Sequence, residues 1–321
     1  MAIVLGVDVG GTHTNFGIIK IDSKKAKILF NKKILSIGSF NSHLKIFLQE
    51  SKRRGYKVEK GCFAVAGPIE GSRVHMSNTN WIIDVNLIKK RFGLKKVILI
   101  NDFEAVGYAI NVLKKNQIRI IKRGNEEKFG NKSIIGAGTG LGKSFLTFNK
   151  KNKCYIPHPS EGGHADLPLF YASEFHLAKF IQKVNNTNRV LYYEDVVSGR
   201  GIENIYKYLK HHKYHNAPNQ NSKEISNSRR KNKCSKEALD IFIKFYARAA
   251  RNFALETLPY GGLYIAGGIA IGNVGAFSGK FKKEFIDNPS LKEVLDNIQI
   301  QIIIEKNVGI VGAAYAINLI K

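Results

Sequence analysis

Several short stretches carry the residue types that phosphate and alcohol chemistry would need. Asp8-Val9-Gly10-Gly11-Thr12 sets a carboxylate at the end of an apolar run, directly before two glycines and a hydroxyl. Glycine lets backbone N–H groups approach phosphate oxygens, and a carboxylate beside them can hold a hydrated Mg2+. An ordinary hairpin turn would use the same residues. Gly136-Ala137-Gly138-Thr139-Gly140-Leu141-Gly142 and Gly267-Gly268 repeat the arrangement after two further apolar runs. None of the three closes with Gly-Lys-Ser/Thr, and none has the spacing and downstream acid of a dinucleotide fold. Asn101-Asp102 follows the apolar run from Val97 to Ile100 and opens a helical stretch. That is the place for a catalytic base at a strand end and equally for a helix N-cap, and the two roles are compatible. Glu161-Gly162-Gly163-His164 puts a carboxylate and an imidazole around a flexible pair, suited to clamping vicinal hydroxyls. As a zinc pair it would need further ligands, which the neighbouring acids do not supply at a matching spacing.

The elements that would position these residues are legible in the periodicity. Residues 3 to 9, 16 to 22 and 26 to 35 read as a three-strand meander whose first turn is Gly10 to Thr14. Residues 42 to 54 have helical spacing, with Leu44, Phe47 and Leu48 on one face. Cys62 to Ala66 and Val97 to Ile100 read as strands and Glu104 to Leu113 as a helix. A second cycle of strand, glycine turn and strand runs over Ser133 to Ala137, 138 to 142 and Ser144 to Asn149, which suggests two related halves facing one cleft. Residues 207 to 236 are rich in lysine, asparagine, histidine and serine and read as a mobile basic loop in solvent. Ala238 to Leu258 is a long helix, Leu263 to Ala266 a buried strand and Val308 to Leu319 a closing helix. A meander continued by βαβ units is the mark of an α/β sheet with helices on its faces.

At 321 residues the chain has room for two domains of ordinary size. Its three cysteines, Cys62, Cys154 and Cys234, are too few and too scattered for a disulfide framework or a structural zinc site. No apolar run is long enough to span a bilayer, so a cytoplasmic protein without a membrane partner is expected. The formal net charge of +26 would ordinarily point to polyanions, yet the lysines are spread along the whole chain together with many asparagines and isoleucines. That distribution reads as compositional drift, with no specific nucleic-acid partner.

Taken in order, these motifs resemble the bacterial-type glucokinases, within the superfamily of sugar kinases, heat-shock protein 70 and actin. The matching stretches are Asp8 to Thr12, Ala66-Gly67-Pro68-Ile69, Met76-Ser77-Asn78 with Trp81, Asn101-Asp102-Phe103 and Gly136 to Gly142. Glu161-Gly162-Gly163-His164, Glu194 with Val196 and Ser198-Gly199, and Ile265-Ala266-Gly267-Gly268-Ile269 complete the set. The resemblance implies a two-domain, actin-like ATPase (ribonuclease H-like) α/β fold. Its small domain would span 1–109 joined by the C-terminal helix at about 306–321, and its large domain, carrying the nucleotide, 110–305. It implies ATP-dependent phosphorylation of D-glucose to glucose 6-phosphate with Mg2+, in which Asp102 takes the proton from the 6-hydroxyl. Asn78, Asn101, Asp102, Glu161, His164 and Glu194 would hold the sugar. Gly10, Gly11, Thr12, Gly138, Thr139 and Gly140 would cradle the phosphates, Gly267 and Gly268 would pack on adenosine, and Asp8 would serve the metal. Domain closure would exclude water, and pairing as a homodimer is the assembly such enzymes often adopt.

Two positions depart from the family pattern. Lys143 follows the second glycine turn, where members usually carry a small apolar residue; its ammonium would either reach a phosphate or stand in solvent. Ala270-Ile271-Gly272 replaces the usual proline and arginine, which leaves the donor open between ATP and ADP, and the basic surface, a cationic rim for a string of phosphates, adds polyphosphate. The other readings are another hexose or amino-sugar kinase and a sugar-sensing regulator or nucleic-acid-binding protein of the same fold. The regulators usually add a helix-turn-helix module and a cysteine-rich zinc motif, neither of which the sequence contains.

Overall fold

The N-terminal alternation folds as β1 (Ala2–Val9), β2 (His13–Ile21) and β3 (Ala26–Leu35), an antiparallel meander in the computed structural model, which describes residues 2–76, 79–277 and 279–320. Helix α1 (Phe40–Arg53) follows, then β4 (Lys60–Val65) parallel to β1. A small antiparallel sheet of β5 (Ile69–Glu70), β6 (Arg73–Met76) and β7 (Trp81–Asp84) leads through α2 (Val85–Phe92) to β8 (Lys96–Asn101), which is parallel to β4. The main sheet is ordered β3-β2-β1-β4-β8. Period-two burial sorts its side chains: Leu5, Val7, Val9, Phe63 and Val65 enter a core with α1, α2 and Trp81, while Val4, Cys62 and Ala64 enter another with α3 (Asp102–Ala109) and the closing helix Val308–Leu319. The closing helix is apolar all round because it is buried on nearly every side. Close approach is built in at Gly312, where a Cβ would lie 1.6 Å from the Ala105 carbonyl oxygen.

The chain divides into two compact units, one of residues 1–118, 144–159 and 305–321 and one of 119–143 and 160–304. The second unit holds all but the first residue of β9 (Ile118–Lys122), β10 (Lys132–Ala137) and the start of β11 (Leu141–Asn149). After Lys143 the chain passes to the first unit, and it returns at the end of β12 (Cys154–Ser160). Within the first unit the β12 segment is tied to the end of α3: Asn111 donates to the Tyr155 carbonyl at 2.9 Å and accepts from its N–H at 2.7 Å. Helices α4 (Ala172–Val184), α5 (Tyr193–Val196), α6 (Gly199–His212), α7 (Ser222–Ser228) and α8 (Lys233–Thr257) come next. They lead to β13 (Leu263–Ala266), α9 (Gly268–Gly272), α10 (Lys280–Phe285), α11 (Lys292–Asn297) and β14 (Ile300–Ile303). Strands β10, β13 and β14 are parallel neighbours, an arrangement usually buried on both faces.

The expected basic loop at 207 to 236 is a correction. It is mostly helical, formed by the end of α6, all of α7 and the start of α8. Asn221 caps α7 and Glu224 closes a capping box with it, while Ile225 and Cys234 are fully buried. One apolar residue per short helix gives no visible period, so the sequence conceals a segment that burial and caps hold in place. The helix expected from Glu104 to Leu113 is also shorter, running from Asp102 to Ala109.

Candidate active site

In the first unit, Asp8 ends β1 opposite Asn15 on β2, which in turn faces Lys33 on β3, so the three polar side chains form one row across the sheet. Burial pushes the Asp8 carboxyl up to about 6, against the opposing pull of Lys33. A Cβ on Gly309, in the first turn of the closing helix, would lie 2.4 Å from Asp8 Oδ2, so the carboxylate lies against that helix start. Asn15 donates to Asn307 Oδ1 at 3.1 Å, and its own Oδ1 is buried without a partner among the described residues. Asp8 and Asn15 thus occupy paired positions at the sheet end, and a carboxylate with an amide oxygen is a donor set a hydrated Mg2+ would use. The Gly10-Gly11-Thr12 turn is fixed by Ser36, whose Oγ donates to the Gly10 carbonyl at 2.8 Å and whose N–H donates to the Thr12 carbonyl at 3.0 Å.

Asn101 is the N-cap of α3, its Oδ1 accepting from the N–H groups of Phe103 and Glu104, with Glu104 returning the capping box. Asp102 is the first residue of that helix and is half-buried; its Oδ1 accepts from the Phe103 N–H at 2.9 Å. The strand end and the cap therefore fix the backbone from which the Asp102 carboxylate projects. Asn78 lies outside the described residues.

In the second unit the other site residues converge. Leu141 N–H, at the end of the glycine turn, donates to Glu194 Oε2 at 2.9 Å, and a Cβ on Gly140 would meet the same oxygen at 2.4 Å. The turn itself closes through Gly138 N–H to the Gly140 carbonyl, while Gly199 N–H, opening α6, donates to the Gly138 carbonyl. Glu161 and His164 bracket a short 3-10 turn, with His164 Nδ1 3.4 Å from Glu161 Oε2 and both side chains exposed. Gly163 is pressed on β11: a Cβ there would lie 2.0 Å from the Leu141 carbonyl oxygen. Residues 165 to 167 pair with 191 to 193 through Tyr193 N–H to Ala165 and Leu167 N–H to Leu191, which brings the Glu161–His164 turn beside Glu194. Gly267 sits at φ +95°, where a side chain would be strained and would meet the Ala137 carbonyl at 2.5 Å. Gly268 is open on its Cβ side, and Thr139 is carried on the second turn.

Lys143 is a correction to the solvated alternative: it is buried, its ammonium 4.8 Å from the Tyr193 ring centroid and 5.3 Å from that of Phe253. Sequence reasoning missed Asn15, Asn307 and the Arg189–Asp195 pair, whose two bonds of 2.8 and 3.1 Å steady the backbone around Glu194. Asn15 was readable in principle, since a hairpin turning at Gly10 to Thr12 puts it opposite Asp8. The others depend on long-range contacts.

A family model described as Glucokinase matches residues 5–319. The chain belongs to the glucokinase family. The glucokinase of Nostoc punctiforme is 32% identical over 343 residues, covering 98% of each chain, and that of Shigella sonnei 30% identical over 312, covering 95% of this chain and 94% of the relative. Among solved structures, a glucokinase from an Antarctic psychrotroph superposes with a TM-score of 0.83 at 27% identity, covering 99% of both chains. The glucokinase of Balamuthia mandrillaris, solved in complex with glucose, shares the fold at TM-score 0.82 and 22% identity, over 98% of this chain and 93% of that one. The architecture is thus the actin-like ATPase fold, and membership of the glucokinase family makes the chain a hexose kinase. No helix among the described residues is long and apolar enough to cross a membrane.

Proposed function

We propose that the chain transfers the γ-phosphoryl group of ATP to the 6-hydroxyl of D-glucose, with Asp102 as the base. The observation that carries this reading is the bond from Leu141 N–H to Glu194, which locks the second glycine turn to a carboxylate in the second unit. Glu161 and His164, brought alongside by the 165–167 and 191–193 pairing, extend that carboxylate into a set of acceptors and donors for vicinal hydroxyls. The family pattern assigns Asn101 and Asn78 to sugar binding as well.

Phosphoryl transfer leaves the protein little covalent work, so rate comes from alignment and from neutralising charge. Asp102 accepts the proton of the attacking hydroxyl, and the helix start on which it sits fixes its direction. The Gly11, Thr12, Thr139 and Gly140 amides receive phosphate oxygens, Gly10 and Gly138 shape the two turns through their own N–H bonds to the His13 and Gly140 carbonyls, and Gly268, open on its Cβ side next to the tightly packed Gly267, leaves room for adenosine. Asp8 with Asn15 would hold Mg2+ through its water shell, and the ion would supply charge neutralisation at the phosphates. A cytoplasmic homodimer, with a small domain of 1–109 plus the C-terminal helix and a large domain of 110–305, completes the proposal.

The test is a coupled assay crossing glucose, mannose, fructose and N-acetylated amino sugars with ATP, ADP and polyphosphate. Glucose with ATP should give the highest kcat/KM. Turnover of an amino sugar above glucose, or of polyphosphate above ATP, overturns the assignment.

A further inference from the structure

We propose that Lys143 is a positioning residue for the sugar, holding the Glu161–His164 turn and the Tyr193–Glu194 segment in fixed relation; the inference rests on the sugar site assigned above. Lys143 ends the part of β11 that belongs to the second unit. Its side chain runs under Gly162: a Cβ there would lie 2.8 Å from Lys143 Cδ and 3.3 Å from Nζ, so the turn rests on the lysine stem. On its other side the ammonium faces the rings of Tyr193 and Phe253. Tyr193 is held from two directions, its N–H on the Ala165 carbonyl at 2.9 Å and its hydroxyl accepting from Asn252 at 2.7 Å. Two residues of one strand, Leu141 and Lys143, therefore serve both halves of the sugar set. Leu141 binds Glu194 through its N–H and supports Gly163 with its carbonyl, and two residues later Lys143 supports Gly162 and grips Tyr193.

An ammonium does this better than an alkyl chain of the same length. Burial disfavours its charge and lowers its pKa, whereas the two ring faces and the Glu256 carboxylate favour the cation and give it one preferred place. A small apolar residue at this position would leave a void beneath Gly162 and free the Tyr193 ring. Sugar binding, rather than nucleotide binding, should register the change.

Lys143→Ala and Lys143→Met are compared with wild type for the KM of glucose, the KM of ATP, kcat and Tm, beside Glu161→Ala as a control on the site itself. Lys143→Ala should raise the glucose KM roughly tenfold while shifting the ATP KM less than about twofold, the scale of a misplaced binding group. Lys143→Met, which keeps the stem and loses the cation, should fall between at roughly threefold, the lower end of a cation–π contact. Should the alanine variant fail to fold, the methionine variant decides. A glucose KM unchanged in the folded variants, or a rise in the ATP KM as large as that for glucose, overturns the role. If Glu161→Ala raises the glucose KM while both Lys143 variants leave it alone, the lysine inference falls and the sugar site stands. If Glu161→Ala is also silent, the site assignment fails and the lysine inference falls with it.

Discussion

At the scale of single residues, Asp102 separates catalysis from folding. Its Oδ1 takes the Phe103 N–H, a bond an asparagine amide oxygen can also accept, so Asp102→Asn should fold normally. What the variant loses is the proton acceptor, and kcat should fall by about 10²- to 10⁴-fold, the usual contribution of a general base. Glucose affinity measured by calorimetry should stay near that of wild type. A kcat within tenfold of wild type would remove Asp102 from the chemistry. Asn101-Asp102 was legible as a pair at a strand end, because carboxylate, cap and preceding apolar run are adjacent in sequence. Asp8 was legible in the same way, whereas Gly309, which lies against it, and Asn307, which accepts from its neighbour Asn15, are about three hundred residues away, and nothing local announces them.

The closing helix and α7 mark the two extremes among the elements. The closing helix reads clearly because it is apolar throughout, and its packing on α3 depends on the missing side chain at Gly312. Gly312→Ala would drive a methyl into the Ala105 carbonyl of α3, and a backbone atom cannot swing aside. Destabilisation of about 3 kcal/mol, near the upper end for overpacking, is expected in a urea melt; an unchanged midpoint would show that the two helices can separate without loss. Helix α7 offers no period to read, yet Asn221 caps it and Ile225 anchors it. Removing the cap in Asn221→Ala should cost about 1 kcal/mol. The same melt would detect it, and no loss at all would return this stretch to the mobile loop that its composition suggests.

Over the whole molecule, charge has two distinct faces. The excess of lysine and arginine over acidic residues gives a formal net charge of +26 and predicts attraction to any polyanion that falls steeply with salt, measurable with a labelled RNA of arbitrary sequence; binding indifferent to salt would contradict this. Inside the second unit, by contrast, Arg248 is buried between Glu174 and Glu284, with Lys244 also on Glu174. Burial would raise the Glu174 carboxyl from its usual 4.5, but Arg248, the Phe170 N–H and Lys244 together hold it at about 2. Because the folded value lies below the unfolded one, the stabilisation is complete above about pH 4.5 and is lost as pH falls towards 2. The stability gap between wild type and Glu174→Gln should therefore close over that window, and a gap constant with pH would refute the pairing. From sequence alone came the strand-ending glycine turns, the meander, the long helices and the family, because each is written in neighbouring residues whose period or spacing is local. Only tertiary structure decided that Lys143 lies between two rings, that 207 to 236 is ordered and that Glu194 is tied to the second glycine turn. Such facts follow from which distant surfaces exclude water together, and that depends on the packing of the entire chain.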